Sequence, residues 1–450
     1  MSKHRWLLAW GLGSIAAGAA SLLIPLYVVQ LGGDPFELGL LGAVAAFVGA
    51  PGAIVWGRLA DRTHNPRGVL LGSLVGMGAL LFLTPALTAI PMLIAVNALV
   101  WLVFAAAGPV LTLLVVADVP ESAWNHEIAL LNKYQGYGWA GGLLLGIVWS
   151  ATVGRVLGPT ATTQSLFVAC ALATALAAVL LARWMPRPSE RAVERVDARR
   201  IARLLSVGRR GVRGATFVFN PNRLYWSTRS VHPKRLADRF TPTLAVYFVG
   251  VVLFFTGFTA FFAPLPLYLT DVGFSSDLVF GLYLVSSLGS AASYTVAGTL
   301  SSRFDLRLLQ SAAVGSRAVL MPLVAVVGTV LAAGLVGTVV TGTLFLAIGV
   351  AWAVIAVTAG TIVTRIAPPS VRGEALGLYA ALSTFAGGIG SLGGGALANA
   401  FGFVTAFVAA GVVICCGAGV VLALRSLSTR TRMTHETPPH GREALAATDD

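Results

Sequence analysis

The first half of this chain recurs in its second half, and this repeat limits the folds open to it. The tripeptide Pro25–Tyr27 returns as Pro266–Tyr268 at an offset of 241 residues, and Gly57 returns as Gly298 at the same offset. Further along, Ala140-Gly141-Gly142 matches Ala386-Gly387-Gly388 at an offset of 246. A duplication of this length predicts two similar units and not one continuous core.

The composition identifies the kind of unit that is repeated. The chain is 56% hydrophobic and 11% charged, whereas soluble proteins carry about 25% charged residues. A helix that crosses a membrane needs about 20 mostly apolar residues. Twelve such stretches can be placed, at 6–30, 37–59, 68–88, 91–117, 128–153, 165–184, 242–269, 278–300, 307–328, 338–363, 374–398 and 401–424. The sequence therefore predicts an all-α polytopic membrane protein with twelve transmembrane helices in two six-helix, pseudo-symmetric bundles.

The distribution of basic residues predicts the orientation of the chain. The short loops and helix ends on the side of the N-terminus contain eight basic residues, whereas the short loops on the other side contain Arg155 alone. The eight basic residues are Arg58, Arg62, Arg67, Lys133, Arg303, Arg307, Arg365 and Arg372. Because basic loops stay in the cytoplasm, both termini are predicted to be cytoplasmic. The predicted domains are an N-terminal bundle (1–184), a central cytoplasmic loop (185–241), a C-terminal bundle (242–424) and a disordered tail (425–450).

The central loop carries fourteen Lys and Arg residues. Its segment 189–207 places apolar residues near helical spacing among arginines, which fits an amphipathic helix on the membrane surface. A solvated basic linker fits equally well. Nucleic acid is not an expected partner, since attraction to the anionic cytoplasmic surface of the membrane already explains a basic loop at this place.

One loop motif resembles a known family. Gly57, Asp61 and Arg62 follow the second span, and Arg67 lies five residues further on. This spacing resembles the loop signature of the major facilitator superfamily, although His64 stands where that signature has glycine. A weaker copy in the second half keeps Gly298 and Arg303, and the segment with Arg372 and Glu374 that enters the eleventh span is also similar to the family.

The resemblance implies an alternating-access transporter whose two halves rock about a central site. It also implies that Gly57, Asp61, Arg62 and Arg67 form a conformational gate, with Gly298, Arg303, Arg372 and Glu374 as the second-half counterpart. Asp61 would then face the N-terminus of the eleventh span, whose dipole attracts an anion. For Arg62 and Arg67, simple anchoring on the cytoplasmic side is the alternative.

Candidates for substrate contact are the polar and aromatic residues on the spans that line the cavity in this family, namely Tyr27, Asn97, Trp101, Gln135, Thr259, Tyr268, Trp352 and Ser383. Aromatic rings stack on flat or lipophilic solutes, and amides orient polar groups. Arg317 joins them because it lies in the middle of the ninth span, where a charge is costly. It could attract an anionic group of the substrate, or it could have a structural role with a neighbouring helix.

The residues give little support for proton coupling, which the resemblance allows. No carboxylate lies in the middle of the first, fourth, seventh or tenth span. The six histidines show no metal-ligand spacing, and no phosphate-binding glycine loop is present, so neither a metal nor a cofactor is expected and the chain is not predicted to be an enzyme.

These observations predict a secondary transporter of small molecules in the cell membrane, and the resemblance implies that it acts as a monomer within the lipid bilayer. Export of lipophilic or amphipathic compounds is favoured because the predicted cavity is apolar and weakly charged. Uptake or exchange of sugars or organic anions is the alternative. A membrane scaffold or sensor without transport remains a third hypothesis.

Overall fold

The computed structural model describes residues 5–62, 66–116, 120, 124–185, 241–331, 333–368 and 372–435. Most of the basic central loop, including the segment predicted as an amphipathic helix, lies outside these residues. So do His64 of the loop motif and the last part of the predicted tail.

The N-terminal half contains six long helices. They are α1 (Arg5–Gln30), α2 (Pro35–Arg62), α3 (Pro66–Leu83), α4 (Ile90–Val116), α5 (Trp124–Thr152) and α6 (Pro159–Trp184). Short 3₁₀ turns follow α3 at Thr84–Ala86 and α5 at Val153–Arg155. Apolar sequence favours helices here because a helix satisfies its own backbone hydrogen bonds in lipid.

The C-terminal half repeats this arrangement with one difference. Its helices are α7 (Pro242–Phe262), α8 (Leu265–Asp271), α9 (Ser276–Arg303), α10 (Leu306–Leu331), α11 (Leu335–Ile366), α12 (Arg372–Phe401) and α13 (Phe403–His435). The span predicted at 242–269 is confirmed as one candidate membrane segment, Pro242–Asp271, but its helix is interrupted between Phe262 and Leu265. Pro264 and Pro266 lie at this interruption, and both lack the backbone N–H that a continuous helix would use. Thus α7 and α8 together form the seventh span, and α9–α13 are spans eight to twelve.

The last helix is also longer than predicted. It runs to His435, eleven residues past the predicted end of the last span at 424. Residues 425–435 contain neither glycine nor proline, and the first prolines come at 438 and 439, so nothing in this stretch stops the helix. Within the described residues, ten helical segments are long and apolar enough to cross a membrane by length and composition.

The two halves have the same internal contacts. In the first, α1 lies against α5 and α6, α2 against α4, and α3 against α4 and α6. In the second, α7 lies against α12 and α13, α9 against α11, and α10 against α11 and α13. The duplication seen in the sequence is therefore a duplication of helix packing.

Two pairs of side chains repeat as well. The Tyr27 hydroxyl donates to the backbone oxygens of Pro85 (3.4 Å) and Leu87 (3.2 Å) just after α3. The Tyr268 hydroxyl donates to the backbone oxygen of Ala325 in α10, at 2.6 Å. Each tyrosine thus ties the end of the first span of its half to the third span of that half or to the turn that follows it.

The second pair consists of arginines at the opposite ends of these helices. Arg67 at the start of α3 donates to the Ala182 carbonyl at the end of α6. Arg307 at the start of α10 donates to the Leu424 carbonyl in α13 at 2.6 Å. Both cations bind a backbone carbonyl of another helix, and the carbonyl that Arg67 binds lies near the C-terminus of α6, where a positive charge also complements the helix dipole.

We expect Arg67→Gln and Arg307→Gln to lower the melting temperature by similar amounts. Each removes a hydrogen bond from a charged donor, which contributes about 1.5–3 kcal/mol when buried and less at these partly exposed sites. The exposed Arg155 changed to Gln is the control for loss of one charge. If Arg67 also acts in the gate, only Arg67→Gln will reduce transport beyond its effect on stability.

The halves meet at the membrane face that lies opposite the chain ends, here called the distal face and marked by the end of α1 at Gln30 and the start of α2 at Pro35. The helices in contact across the halves are α2 with α12, α5 with α9, and α1 with α8. A Cβ atom placed on Gly39 would lie 2.5 Å from the Ser391 carbonyl oxygen and 2.9 Å from the Gly395 Cα. The backbones of the two halves therefore touch closely at this face.

Candidate substrate site

An aromatic cluster lies in the N-terminal half, on helices α1, α4 and α5. The ring of Trp101 lies 6.1 Å from that of Trp139 and edge-on to Phe104 at 5.9 Å. Phe104 in turn stacks on Trp10 with centroids 5.9 Å apart. Trp101 and Trp139 are half-buried, so their faces are the accessible part of this N-terminal cluster.

Asn97 fixes the position of Trp101. Its side-chain nitrogen donates to the Leu41 carbonyl of α2 at 3.2 Å, and its oxygen accepts from Trp101 Nε1 at 3.1 Å. Asn97 is buried, and both of its polar groups are used. The amide therefore orients the indole ring and ties α4 to α2.

A second aromatic cluster lies in the C-terminal half, on α7, α11 and α12. Phe255 lies edge-on to Trp352 at 6.1 Å and to Tyr379 at 6.2 Å. Phe258 also lies edge-on to Trp352, at 6.3 Å. Trp352 and Tyr379 are half-buried. Edge-to-face contacts of this kind stabilise the rings in fixed orientations.

Arg317 lies behind this C-terminal cluster. It is 11 residues into α10, about 17 Å along the helix axis, and 4% exposed. Its guanidinium carbon lies 4.3 Å from the ring centre of Phe258, 5.2 Å from that of Trp352 and 5.7 Å from that of Phe262. A cation over an aromatic face gains about 0.5–2 kcal/mol, which offsets only part of the cost of burying the charge.

The helices that carry the two clusters touch between α4 and α12. Ala105 of α4 is buried against Ala380 and Ala381 of α12. Ala105 follows Phe104 of one cluster in the chain, and Ala380 follows Tyr379 of the other. Trp101, Trp139 and Trp352 lie near the middle of their helices.

Other predicted contact residues have partners within their own half. The tyrosines 27 and 268 are fully buried and their hydroxyls bond to backbone oxygens, as described above. Thr259 donates to the carbonyls of Phe255 and Thr256, and Ser383 donates to that of Tyr379. Gln135 is half-buried on α5. Of the predicted set, Trp101, Trp352 and Arg317 belong to the aromatic clusters, with Asn97 holding the first of them.

The predicted gate residues are placed unevenly. Gly57, Asp61 and Arg62 lie on the last turns of α2, in a stretch whose side chains are outside the described part of the chain. Gly298 and Arg303 lie at the end of α9, where Arg303 is exposed. Arg372 donates to the Ala367 carbonyl at 3.4 Å, and Glu374 is buried in the first turn of α12. Arg67 contacts α6 of its own half, so the gate remains a prediction.

Sequence reasoning missed several members of the clusters. They are Trp10, Phe104, Trp139, Phe255, Phe258, Phe262 and Tyr379. The chain contains 22 Phe and 10 Trp residues, so an aromatic residue in a span is common and carries little information by itself. A signal that could have found them is the unpaired cation Arg317, since such a charge in a membrane needs nearby groups that interact with it.

The family model of the Major Facilitator Superfamily matches residues 6–389 of this chain. The chain therefore belongs to the Major Facilitator Superfamily, and it is a multi-pass membrane protein. This confirms the resemblance seen in the loop motif. No curated protein matches the sequence.

Solved structures share the fold. A crystal structure of a mutant of the nucleoside transporter NupG superimposes with a TM-score of 0.70 at 13% identity, covering 95% of this chain and 100% of that one. An inward-facing, unoccupied crystal structure of a bacterial homolog of the human lysosomal transporter Spinster gives 0.64 at 14% identity, covering 97% and 98%. At such identity the likeness establishes architecture and not substrate.

Proposed function

We propose that this chain is a secondary transporter that binds a small amphipathic solute between the two aromatic clusters and carries it across the membrane by alternating access. The observation that carries this proposal is the contact of α4 with α12, beside which each half has half-buried aromatic rings. A solute that binds both halves stabilises the conformation in which both halves contact it, and it therefore shifts the position of one half relative to the other.

The arrangement of the helices supports the proposal mechanically. Each half is tied internally by its own tyrosine and arginine pair. The halves meet along α2 and α12, where Gly39 lies against Ser391 and where the ring centres of Phe47 and Phe385 are 5.6 Å apart. Two bodies with separate internal ties can rock relative to each other by repacking such an interface. Opening at the distal face would then alternate with opening at the face of the chain ends.

The chemistry of the site favours a solute with an apolar, flat part. Indole and phenyl rings offer large apolar faces, and Asn97 leaves no free polar group beside Trp101 among the described residues. Export of such compounds is the direction that we propose. Uptake is the competing direction, since a fold shared with the nucleoside transporter NupG leaves the direction of transport open.

The experiment is flux in proteoliposomes across a panel of amphipathic dyes, aromatic acids and amines, sugars and nucleosides. Trp101→Leu and Trp352→Leu are each expected to weaken apparent affinity about tenfold, since an aromatic contact of this kind contributes about 1–1.5 kcal/mol. Trp149→Leu is the matched control, because Trp149 donates to Ser165 outside both clusters.

Two outcomes would contradict the proposal. Absence of flux for every compound, with folded protein in the vesicles, would exclude transport and favour a scaffold or sensor. Equal losses in Trp101→Leu, Trp352→Leu and Trp149→Leu would show that the aromatic clusters do not form the site. Reversing the solute gradient across vesicles of known orientation separates export from uptake.

A further inference from the structure

We propose that Arg317 is the binding partner of a carboxylate on the transported solute, so that the substrate is a singly charged amphipathic organic anion. This inference rests on the proposed function and gives the substrate of that site its charge. It assigns the apolar part of the solute to the aromatic clusters and the anionic part to the guanidinium.

The guanidinium of Arg317 is buried without a hydrogen-bond acceptor. Its Nε atom is inaccessible and has no acceptor, and none of its nitrogens donates to another group in the described part of the chain. Its neighbours are the rings of Phe258, Phe262 and Trp352, with Tyr294 of α9 near enough to interact electrostatically. An arginine carries five N–H donors in a fixed fork, and the Nε–H of Arg317 is left without an acceptor in the described part of the chain.

Other arginines of the chain behave differently. Arg67, Arg307 and Arg372 each donate to a backbone carbonyl, and each lies at a helix end. A structural arginine in this fold therefore finds a carbonyl acceptor. Arg317 lies in the middle of a helix, where the carbonyls are already bonded within the helix.

The helices provide no carboxylate to pair with Arg317. The sequence places no Asp or Glu in the interior of any of the twelve spans. The acidic residues whose side chains the structure describes are all at or beside helix ends, namely Asp34, Glu37, Glu127, Asp271, Asp277, Asp305 and Glu374. An unpaired buried charge is unfavourable unless a partner arrives, and the only remaining source of an anion at this depth is a solute.

The position of Trp352 defines how the anion would be held. Its ring centre lies 6.1 Å from that of Phe255 in the aromatic cluster and 5.2 Å from the guanidinium carbon. Trp352 is half-buried, so a flat apolar group can lie against it while an attached carboxylate reaches Arg317. Arginine binds carboxylates through two parallel hydrogen bonds, which gives geometric selectivity over neutral groups.

The symmetry of the fold shows that this charge belongs to one half only. Arg67 and Arg307 are equivalent by their contacts and 240 residues apart, and the position 240 residues before Arg317 is Met77. Met77 is a buried apolar residue of α3. Arg317 is therefore not part of the repeated scaffold, as expected for a residue that serves a ligand.

The test compares matched probes that differ only in charge. Benzoate, naphthoate and indoleacetate are each titrated against their neutral primary amides, using purified full-length protein in nanodiscs and calorimetry or thermal shift. At least one carboxylate is expected to bind at least about tenfold more tightly than its amide, as for hydrogen bonds to a charged partner. In Arg317→Gln the ratio should fall to about one, with amide binding unchanged, whereas Arg155→Gln should keep the wild-type ratio.

Equal affinity of acids and amides in the wild type would overturn the inference, and so would a preference for acids that persists in Arg317→Gln. If Arg317→Gln does not fold, the inference is tested by the acid-to-amide affinity ratio of the wild type and of Arg317→Lys. A lysine keeps the charge but loses the paired hydrogen-bond geometry, so Arg317→Lys should retain only part of the preference for acids. Flux in proteoliposomes is measured separately. Arg317-dependent binding without flux would contradict the transporter proposal and leave the anion site standing. Flux of neutral compounds alone would contradict the anion site and leave the transporter proposal standing.

Discussion

Gly39→Leu is expected to hold the distal face open and to reduce transport to a small fraction of the wild-type rate while the protein stays folded. A Cβ atom at Gly39 already meets the Ser391 carbonyl oxygen and the Gly395 Cα, as described above, and a leucine is larger still. Inserting atoms into a close contact costs about 1–3 kcal/mol. Because the contact exists only when the distal face is closed, this cost would shift the open and closed populations about 5- to 150-fold.

The measurement combines flux with a distance across the distal face. Spin labels at the exposed residues Leu157 and Leu335, in a background without Cys170, Cys415 and Cys416, should move apart in Gly39→Leu. Gly49→Leu is the matched control on the same helix, since a Cβ atom at Gly49 meets no atom within 4 Å. A wild-type distance and wild-type flux in Gly39→Leu would show that closure at this face is not needed.

Gly390→Leu is expected to have a different effect, namely loss of the folded C-terminal half. A Cβ atom at Gly390 would overlap the Thr256 carbonyl of α7, in the same way that a Cβ atom at Gly142 would overlap the Ile15 carbonyl of α1. These contacts are inside a half, are present in every conformation of it, and involve backbone that cannot move aside. The cost is therefore at the upper end of the range for overpacking, about 3 kcal/mol or more.

The yield of monodisperse protein and its melting temperature measure this effect. Gly390→Leu and Gly142→Leu should both give little folded protein, whereas Gly393→Leu should be tolerated because a Cβ atom there meets no atom within 4 Å. A melting temperature of Gly390→Leu equal to that of the wild type would contradict the close approach of α12 to α7.

The residue offset between equivalent positions of the two halves differs along the chain, and matching short sequence strings finds the correct offset at some helices only. At the first helices the offset of 241 is correct, because Tyr27 and Tyr268 have equivalent contacts. At α5 and α12 the sequence match gives 246, whereas the contacts pair Gly142 with Gly390, an offset of 248. Glycines are so frequent in α12 that a short string can align with the wrong one, and only the partner helix identifies the equivalent position.

The fold was largely predictable because each span satisfies its own backbone and needs only length and apolarity. The break at Pro264 could not have been predicted from a proline alone, because Pro25, Pro51 and Pro322 lie inside continuous helices. The site was predictable only in part: Arg317 is conspicuous as a charge in a span, but which helix faces meet is a tertiary property. Tyr27 and Tyr268 illustrate this limit, since their hydroxyls bond to carbonyls about 60 residues away in the chain.

The pairs that recur in both halves also indicate how this protein could be engineered. Tyr27 with Tyr268, Arg67 with Arg307, and Gly142 with Gly390 all hold helices together, whereas Arg317 has no charged counterpart, since Met77 stands at the equivalent position. The scaffold and the recognition surface are thus encoded by different residues. A combinatorial library restricted to the central rings and Arg317 would vary selectivity while leaving the duplicated framework, and hence expression in a host cell, largely untouched.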